Sequence, residues 1–300
     1  MSLYKNILHS IDFSQENQAT IQDSLLLAKA SGAKVTYFHV LDELVLNHPD
    51  KLSFTPASLQ AELSKRVEEC IRTHLGEGEK VDYAIEIPVG KPMEMILKRA
   101  SAGDVDVLLM GQQHAPFLER VLLGSVAEKV LREVDVPVML LHSEKRLEPL
   151  DKILVPVDFS EASGLALRQA YNLAHAHQAE LYVLNIVEFQ TLLLPNGFET
   201  FEVAVDLPQA LKDKEEVCMK EFLDNSGLDF SKIPTLHSNV GIGSVYREIL
   251  AYAEEKATDL TVMGSVGRSG LRGLVIGNQA ERVARACARP LLVVKPMKLL

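Results

Sequence analysis

Met263-Gly264-Ser265-Val266-Gly267, nine residues, then Gly277-Asn278: this run has the makings of a phosphate cradle. Glycine lets backbone approach an anion closely. A helix start adds unpaired N–H groups and the positive end of a dipole. Asn278 reads as the N-cap of such a helix, with Glu281 three residues on as its capping-box partner. The same pattern lies 153 positions earlier as Met110-Gly111-Gln112-Gln113-His114, nine residues, then Gly124-Ser125, with Glu128 in the box position. There His114 stands where the second glycine would be, and its β-carbon and ring should obstruct phosphate. The second loop carries Arg268 and Arg272 and no acid, whereas the first sets Glu119 beside Arg120. A polyphosphate is drawn to the former. The two arginines also read simply as solvated surface residues.

These loops belong to a longer repeat. Gly90 answers Gly243, Asp106 answers Asp259 and Pro137 answers Pro290, each at a spacing of 153. Near the start of each half the spacing is 146, where Ile11-Asp12-Phe13-Ser14 answers Val157-Asp158-Phe159-Ser160. The second half therefore holds seven extra residues between Asp158 and Gly243. Fixed register over this span predicts two homologous domains of about 150 residues. Their expected bounds are 1–143 and 150–300, joined by a polar linker ending at Pro149.

The loops need strands and helices to hold them. In the first half, strands are expected at 6–11, 34–40, 81–87, 106–110 and 136–141. Helices are expected from Ser14 to a stop at Gly32, over 58–75, over 92–102 and after Ser125. Strands near 152–157, 180–187, 235–240, 260–263 and 290–294 repeat the order. This alternation predicts an α/β class with two doubly wound, parallel five-stranded sheets. Asp12, Asp158, Gly111 and Gly264 fall at strand C-terminal ends, where such sheets bind ligands.

On these residues the chain resembles the universal stress protein family in its tandem two-domain form. The resemblance rests on Asp12 and Asp158 after the first strands and on the glycine loops. It also rests on the closing runs Pro-Val-Met-Leu-Leu and Pro-Leu-Leu-Val-Val. It implies an adenine nucleotide alpha hydrolase-like fold and an ATP site in the second half, with or without Mg2+. That site would comprise Val157, Asp158, Ile186, Met263, Gly264, Gly267, Arg268, Gly277, Asn278 and Gln279. A weaker one in the first half would use Asp12, Val40, Gly111, Gly124 and Ser125. Asn278 departs from the Ser or Thr of the ATP-binding pattern, which removes a hydroxyl from the phosphate end. The resemblance further implies antiparallel pairing of the two fifth strands, an intrachain pseudo-dimer. Two chains could then associate as a homodimer through the apolar loop 192–201. The expected role is a cytoplasmic stress sensor or regulator with little hydrolysis. The alternatives are a scaffold, or a small-molecule or lipid binder working through its apolar loops, and a slow ATPase.

Other chemistries find little support. There is no Gly-x4-Gly-Lys-[Ser/Thr] run and no Gly-x-Ser-x-Gly elbow. Gly241-Ile242-Gly243 lacks a third glycine and reads as a turn into a helix. A formal charge of −10 opposes non-specific nucleic-acid binding. No apolar run approaches the length of a membrane span, and the N-terminus reads as a strand rather than a signal peptide. Cys70, Cys218 and Cys287 form no Cys-x-x-Cys pair, so neither a disulfide framework nor a zinc site is expected. Cys70 and Cys218 read as half-buried helix residues, and His39 as a satisfied core or pocket-edge residue.

Overall fold

The computed structural model describes residues 3–13, 15–43, 55–76, 78–115, 120–122, 124–142, 144–147, 150–188, 203–266 and 276–295. The first half runs β1 (Asn6–Ser10), α1 (Gln15–Ser31), β2 (Lys34–Phe38), β3 (Leu41–Asp42), α2 (Pro56–His74), β4 (Tyr83–Glu86), β5 (Val89–Gly90), α3 (Pro92–Ala100) and β6 (Val107–Gly111). It continues with β7 (Gln113–Ala115), β8 (Arg120–Leu122), α4 (Ser125–Glu133) and β9 (Val138–Leu141). The second half runs β10 (Lys152–Pro156), α5 (Glu161–His177), β11 (Glu180–Val187), α6 (Val203–Asp224), β12 (Leu236–Ile242), α7 (Val245–Glu255), β13 (Leu260–Gly264), α8 (Asn278–Ala286) and β14 (Leu291–Val294).

The two expected five-stranded sheets are one sheet of ten strands, in the order β12-β11-β10-β13-β14-β9-β6-β1-β2-β4. Within this sheet pairing is parallel in each half and antiparallel only where β14 meets β9, with Leu291 opposite Leu140 and Val293 opposite Val138. Both strands are fully buried runs, as strands covered on both faces must be. Neighbouring residues on each strand feed opposite layers. Met139 and Leu292 belong to one apolar cluster, Val138 and Val293 to the other. Each cluster draws residues from both halves, so the core is continuous across the seam.

Several residues of the repeat serve as anchors. Asp106 Oδ2 accepts the N–H groups of Lys5 at 2.6 Å and Asn6 at 2.8 Å. Asp259 does the same for Asp151 and Lys152, both at 2.9 Å. Each aspartate thus fixes the entry of its half's first strand. The link between halves is held by the fully buried Asp23, which accepts from Arg146 Nε and from the Leu147 N–H, both at 3.1 Å. Gly32 ends α1 at φ 68°, and its counterpart at the end of α5 is Gln178 at φ 56°.

Cys70 lies half-buried in α2 and Cys218 half-buried in α6, while Cys287 is buried. Burial pushes the Cys287 thiol up to about 11. Among the described residues no helix is long and apolar enough to cross a membrane. Ser14 and the apolar loop 192–201 lie outside the described residues.

Candidate functional site

In each half the strand order reverses direction between the first and fourth strands, at β1/β6 and β10/β13. A crevice outside the strand C-termini belongs at such a switch point. In the second half β10 pairs with β13 through Ile153↔Leu260 and Leu154↔Thr261. Val157 leaves β10 buried, its N–H donating to Leu184 O at 2.8 Å. Asp158 follows, half-buried. Its Oδ1 accepts the Ser160 N–H at 3.1 Å and the Ser160 hydroxyl at 2.6 Å. Ser160 then caps α5 by accepting the Ser163 N–H at 3.2 Å. Between them Phe159 adopts φ 62°, and Phe13 in the first half adopts φ 61°. Left-handed backbone at a bulky aromatic costs about 1–2 kcal/mol. Its recurrence at the same place in both halves marks a turn shape that the fold requires.

The glycine loop meets this turn directly. A β-carbon on Gly264 would lie 3.0 Å from the backbone of Ala162 in the first turn of α5. Gly264 is therefore glycine at least because the end of β13 packs on that turn. Met263, beside it, is buried. Ser265 donates its N–H to Val294 O at 2.8 Å and accepts the Gly277 N–H at 2.6 Å. That second bond closes the loop and brings the start of α8 to the end of β13. Gly267 and Arg268, with Arg272, lie outside the described residues. Ile186 is half-buried on β11, Asn278 is exposed and Gln279 half-buried.

The expected capping boxes do not form. The N-caps are Gly124 and Gly277, with no side-chain cap bond, and Ser125 and Asn278 are the first helical residues. Glu281 N–H makes the first intrahelical bond, to Gly277 O at 3.0 Å. The N–H groups of Asn278, Gln279 and Ala280 precede it and have no intrahelical acceptor. With the N-cap one residue earlier and a glycine, each glutamate falls one position past the capping-box site, and arginines engage it instead. Arg132 Nη2 donates to Glu281 Oε1 at 2.7 Å, and Arg285 Nη2 lies 2.6 Å from Glu128 Oε1. Each arginine also meets the glutamate of its own helix, at 3.4 Å in α4 and 3.1 Å in α8. The four side chains form a closed ring across the seam. The arginines are more than two-fifths exposed, so each pair stabilises the fold by only about 0–1 kcal/mol.

The first half differs in its loop. Gln113–Ala115 pairs antiparallel with Arg120–Leu122, His114 facing Val121 in register. This altered loop thus carries a short antiparallel pairing that the sequence reading did not anticipate. Without a second glycine, and with Val121-Leu122 in the run, extended pairing is favoured. Asp12 is exposed where Asp158 is half-buried, Val40 is buried, and Gly111 ends β6. Gly124 is half-buried and Ser125 exposed.

Asn185 was missed from sequence, whereas its first-half counterpart, His39, was singled out there. Asn185, buried on β11, donates Nδ2 to Val157 O at 2.9 Å. His39 Nδ1 donates to Ile11 O at 2.7 Å. The two are 146 positions apart, so aligning the halves pairs them. Burial holds the His39 ring below its ordinary value. Asn185 Oδ1 and Gln279 Oε1 are buried with no hydrogen-bond partner among the described residues. Among the described residues no three His, Cys, Asp or Glu side chains cluster as metal ligands.

Fold and site together define a tandem α/β protein with a doubly wound, parallel arrangement of strands in each half. The model of the universal stress protein family matches residues 3–142 and 149–295, so the chain belongs to that family. A universal stress protein of Mycolicibacterium smegmatis is 23% identical, covering 97% of both chains. Universal stress protein E of Escherichia coli is 23% identical, covering 99% of this chain and 95% of its own. The crystal structure of a universal stress protein from Archaeoglobus fulgidus superposes with a TM-score of 0.65 at 23% identity, over 98% of this chain and 99% of that one.

Proposed function

We propose that this protein binds an adenine nucleotide, ATP, in its second half and acts as a cytoplasmic sensor or regulator of the stress response. In this reading 1–143 and 150–300 are two domains, and the second carries the working site. The observation that carries it is the contact between the Asp158–Ala162 turn and Gly264, with the Ser265–Gly277 bond setting the start of α8 beside them. That arrangement puts a half-buried carboxylate, suited to ribose or adenine, near a row of helix N–H groups suited to phosphate. The orphaned acceptors Asn185 Oδ1 and Gln279 Oε1 fit a ligand that carries donors. Val157, Ile186 and Met263 would wall the base, and Gly264, Gly267, Arg268, Gly277, Asn278 and Gln279 the phosphates. Mg2+, when bound, would ride on the phosphates.

Catalysis is not part of the reading. Asp158 Oδ1 is engaged by Ser160, and no described side chain is placed as a general base at the phosphate end. Mass spectrometry of ligand released from purified protein tests the binding, with ATP or ADP expected. Site-dependent phosphate release at about 1 per second or faster would make it an enzyme instead.

One observation favours a second reading. α1 and α2 pack together in the first half, whereas α5 and α6 flank an open groove of about 720 Å³. Phe159, Leu165, Phe222 and Leu228 line it together with Arg168 and Glu221. Its size suits a small-molecule ligand. Release of an apolar metabolite and no nucleotide would favour this reading over ATP.

A further inference from the structure

We propose that Arg132, in the first half, is a positioning residue for the phosphate end of the second-half site. The inference rests on the nucleotide reading above. Glu281 lies in the first turn of α8, the helix whose N-terminus would receive phosphate. A glutamate there can turn back toward the N-terminal N–H groups and compete with an incoming anion. Here Arg132 Nη2 holds its Oε1 at 2.7 Å, the shortest of its bonds, with Arg285 Nε and Nη2 at 3.2 and 3.1 Å.

The placement of α8 depends on the first half at its other end as well. Gln112 Nε2 donates to Ala284 O at 3.1 Å, and Lys295 Nζ reciprocally donates to Leu131 O at 2.6 Å. Leu131 and Ala284 are equivalent positions of the repeat, so each helix of the pair is gripped near its C-terminal end from the opposite half. The ring of Glu128, Arg132, Glu281 and Arg285 holds two acids and two bases. Removing Arg132 leaves two carboxylates sharing Arg285, a net negative charge beside the anion site. The altered first-half loop is thus compatible with an intact task for that half, the electrostatic support of the other site.

Calorimetric titration of ATP and of adenosine at low ionic strength tests this. The proteins are wild type, Arg132→Gln, Arg132→Lys and the double variant Arg132→Gln/Glu281→Gln, each checked for folding by thermal melting. Arg132→Gln should weaken ATP about three- to tenfold, the scale of one unit charge removed at short range in a partly solvated site. Adenosine, which has no phosphate, should bind unchanged. Arg132→Lys should keep ATP affinity, and the double variant should regain it. Wild-type ATP binding with no loss in Arg132→Gln overturns the inference, as does an equal loss for adenosine or no recovery in the double variant. A wild type that binds neither ligand sinks the nucleotide reading, and the inference with it.

Discussion

Asn185 donates from Nδ2 to the carbonyl of Val157, tying β11 to the residue before Asp158. His39 makes the equivalent bond to Ile11 in the first half. Two different side chains thus solve one problem, a buried carbonyl where the chain leaves the sheet for the aspartate turn.

That relationship predicts a graded response. Asn185→Ala leaves the Val157 carbonyl without its side-chain donor, which should cost about 1–3 kcal/mol of stability. It should also loosen Asp158 and weaken nucleotide binding. Asn185→His imports the first-half solution and should recover most of the stability. Denaturant unfolding of both variants checks this, and equal losses in the two would contradict the shared role.

A second prediction concerns pH. His9 is fully buried beside Thr20, and burial pushes its ring down to about 3. Unfolded, it would titrate near 6.5. The folded state therefore favours the neutral ring, and its stability is fully present above about pH 6.5. Between about 6.5 and about 3 the unfolded chain takes up the proton and the folded chain does not. Stability should fall there by about 1.4 kcal/mol per pH unit from this group. His39 and His177, also lowered by burial, act in the same direction. Urea melts at pH 7, 6 and 5 should show a shallower decline in His9→Gln. An identical slope would remove His9 from the account.

Much of this architecture is readable in the sequence, and the reasons are local. The buried strands announce themselves as apolar runs such as Val107–Gly111 and Leu260–Gly264, and the fixed spacing of Asp106 and Asp259 exposes the repeat. The aspartate turn and the glycine-bearing strand ends are legible because backbone geometry constrains residue type there. The capping boxes were misread because each helix starts one residue earlier, on a glycine cap, and Glu128 and Glu281 pair with arginines across the seam. Single-sequence reasoning cannot place Arg132 next to Glu281 before the fifth strands are paired. The hairpin at Gln113–Ala115 was missed for a related reason. Three residues are too few to show a strand period, and β8 packs on α8 of the other half. The left-handed backbone at Phe13 and Phe159 carries no composition signal at all.

The continuity of the core across the seam yields a third prediction. Val293 is fully buried opposite Val138. Val293→Lys places an ammonium in an apolar layer, where it must either stay neutral or open the seam. The variant should lose stability in both halves together. Calorimetric melting of the wild type should accordingly show one cooperative transition. Two separate transitions would mean that the halves are thermodynamically independent.

Gln178 gives a fourth. It sits at φ 56° after α5, where the first half has Gly32. Gln178→Gly should stabilise by about 0.5–1 kcal/mol, because glycine adopts this backbone without the β-carbon clash. The Gln178 side chain also donates to His175 O at 2.9 Å, and losing that exposed bond offsets about 0.5 kcal/mol of the gain, the low end for a net hydrogen bond. A lower melting temperature for this variant would contradict the backbone argument.

The central claim is that one half binds nucleotide and the other supports it. Calorimetry with ATP on wild type, Asp158→Ala and Asp12→Ala tests this most directly. About one site per chain, lost in Asp158→Ala and kept in Asp12→Ala, is the predicted result. Binding that survives Asp158→Ala and disappears in Asp12→Ala would place the working site in the other half and contradict the account.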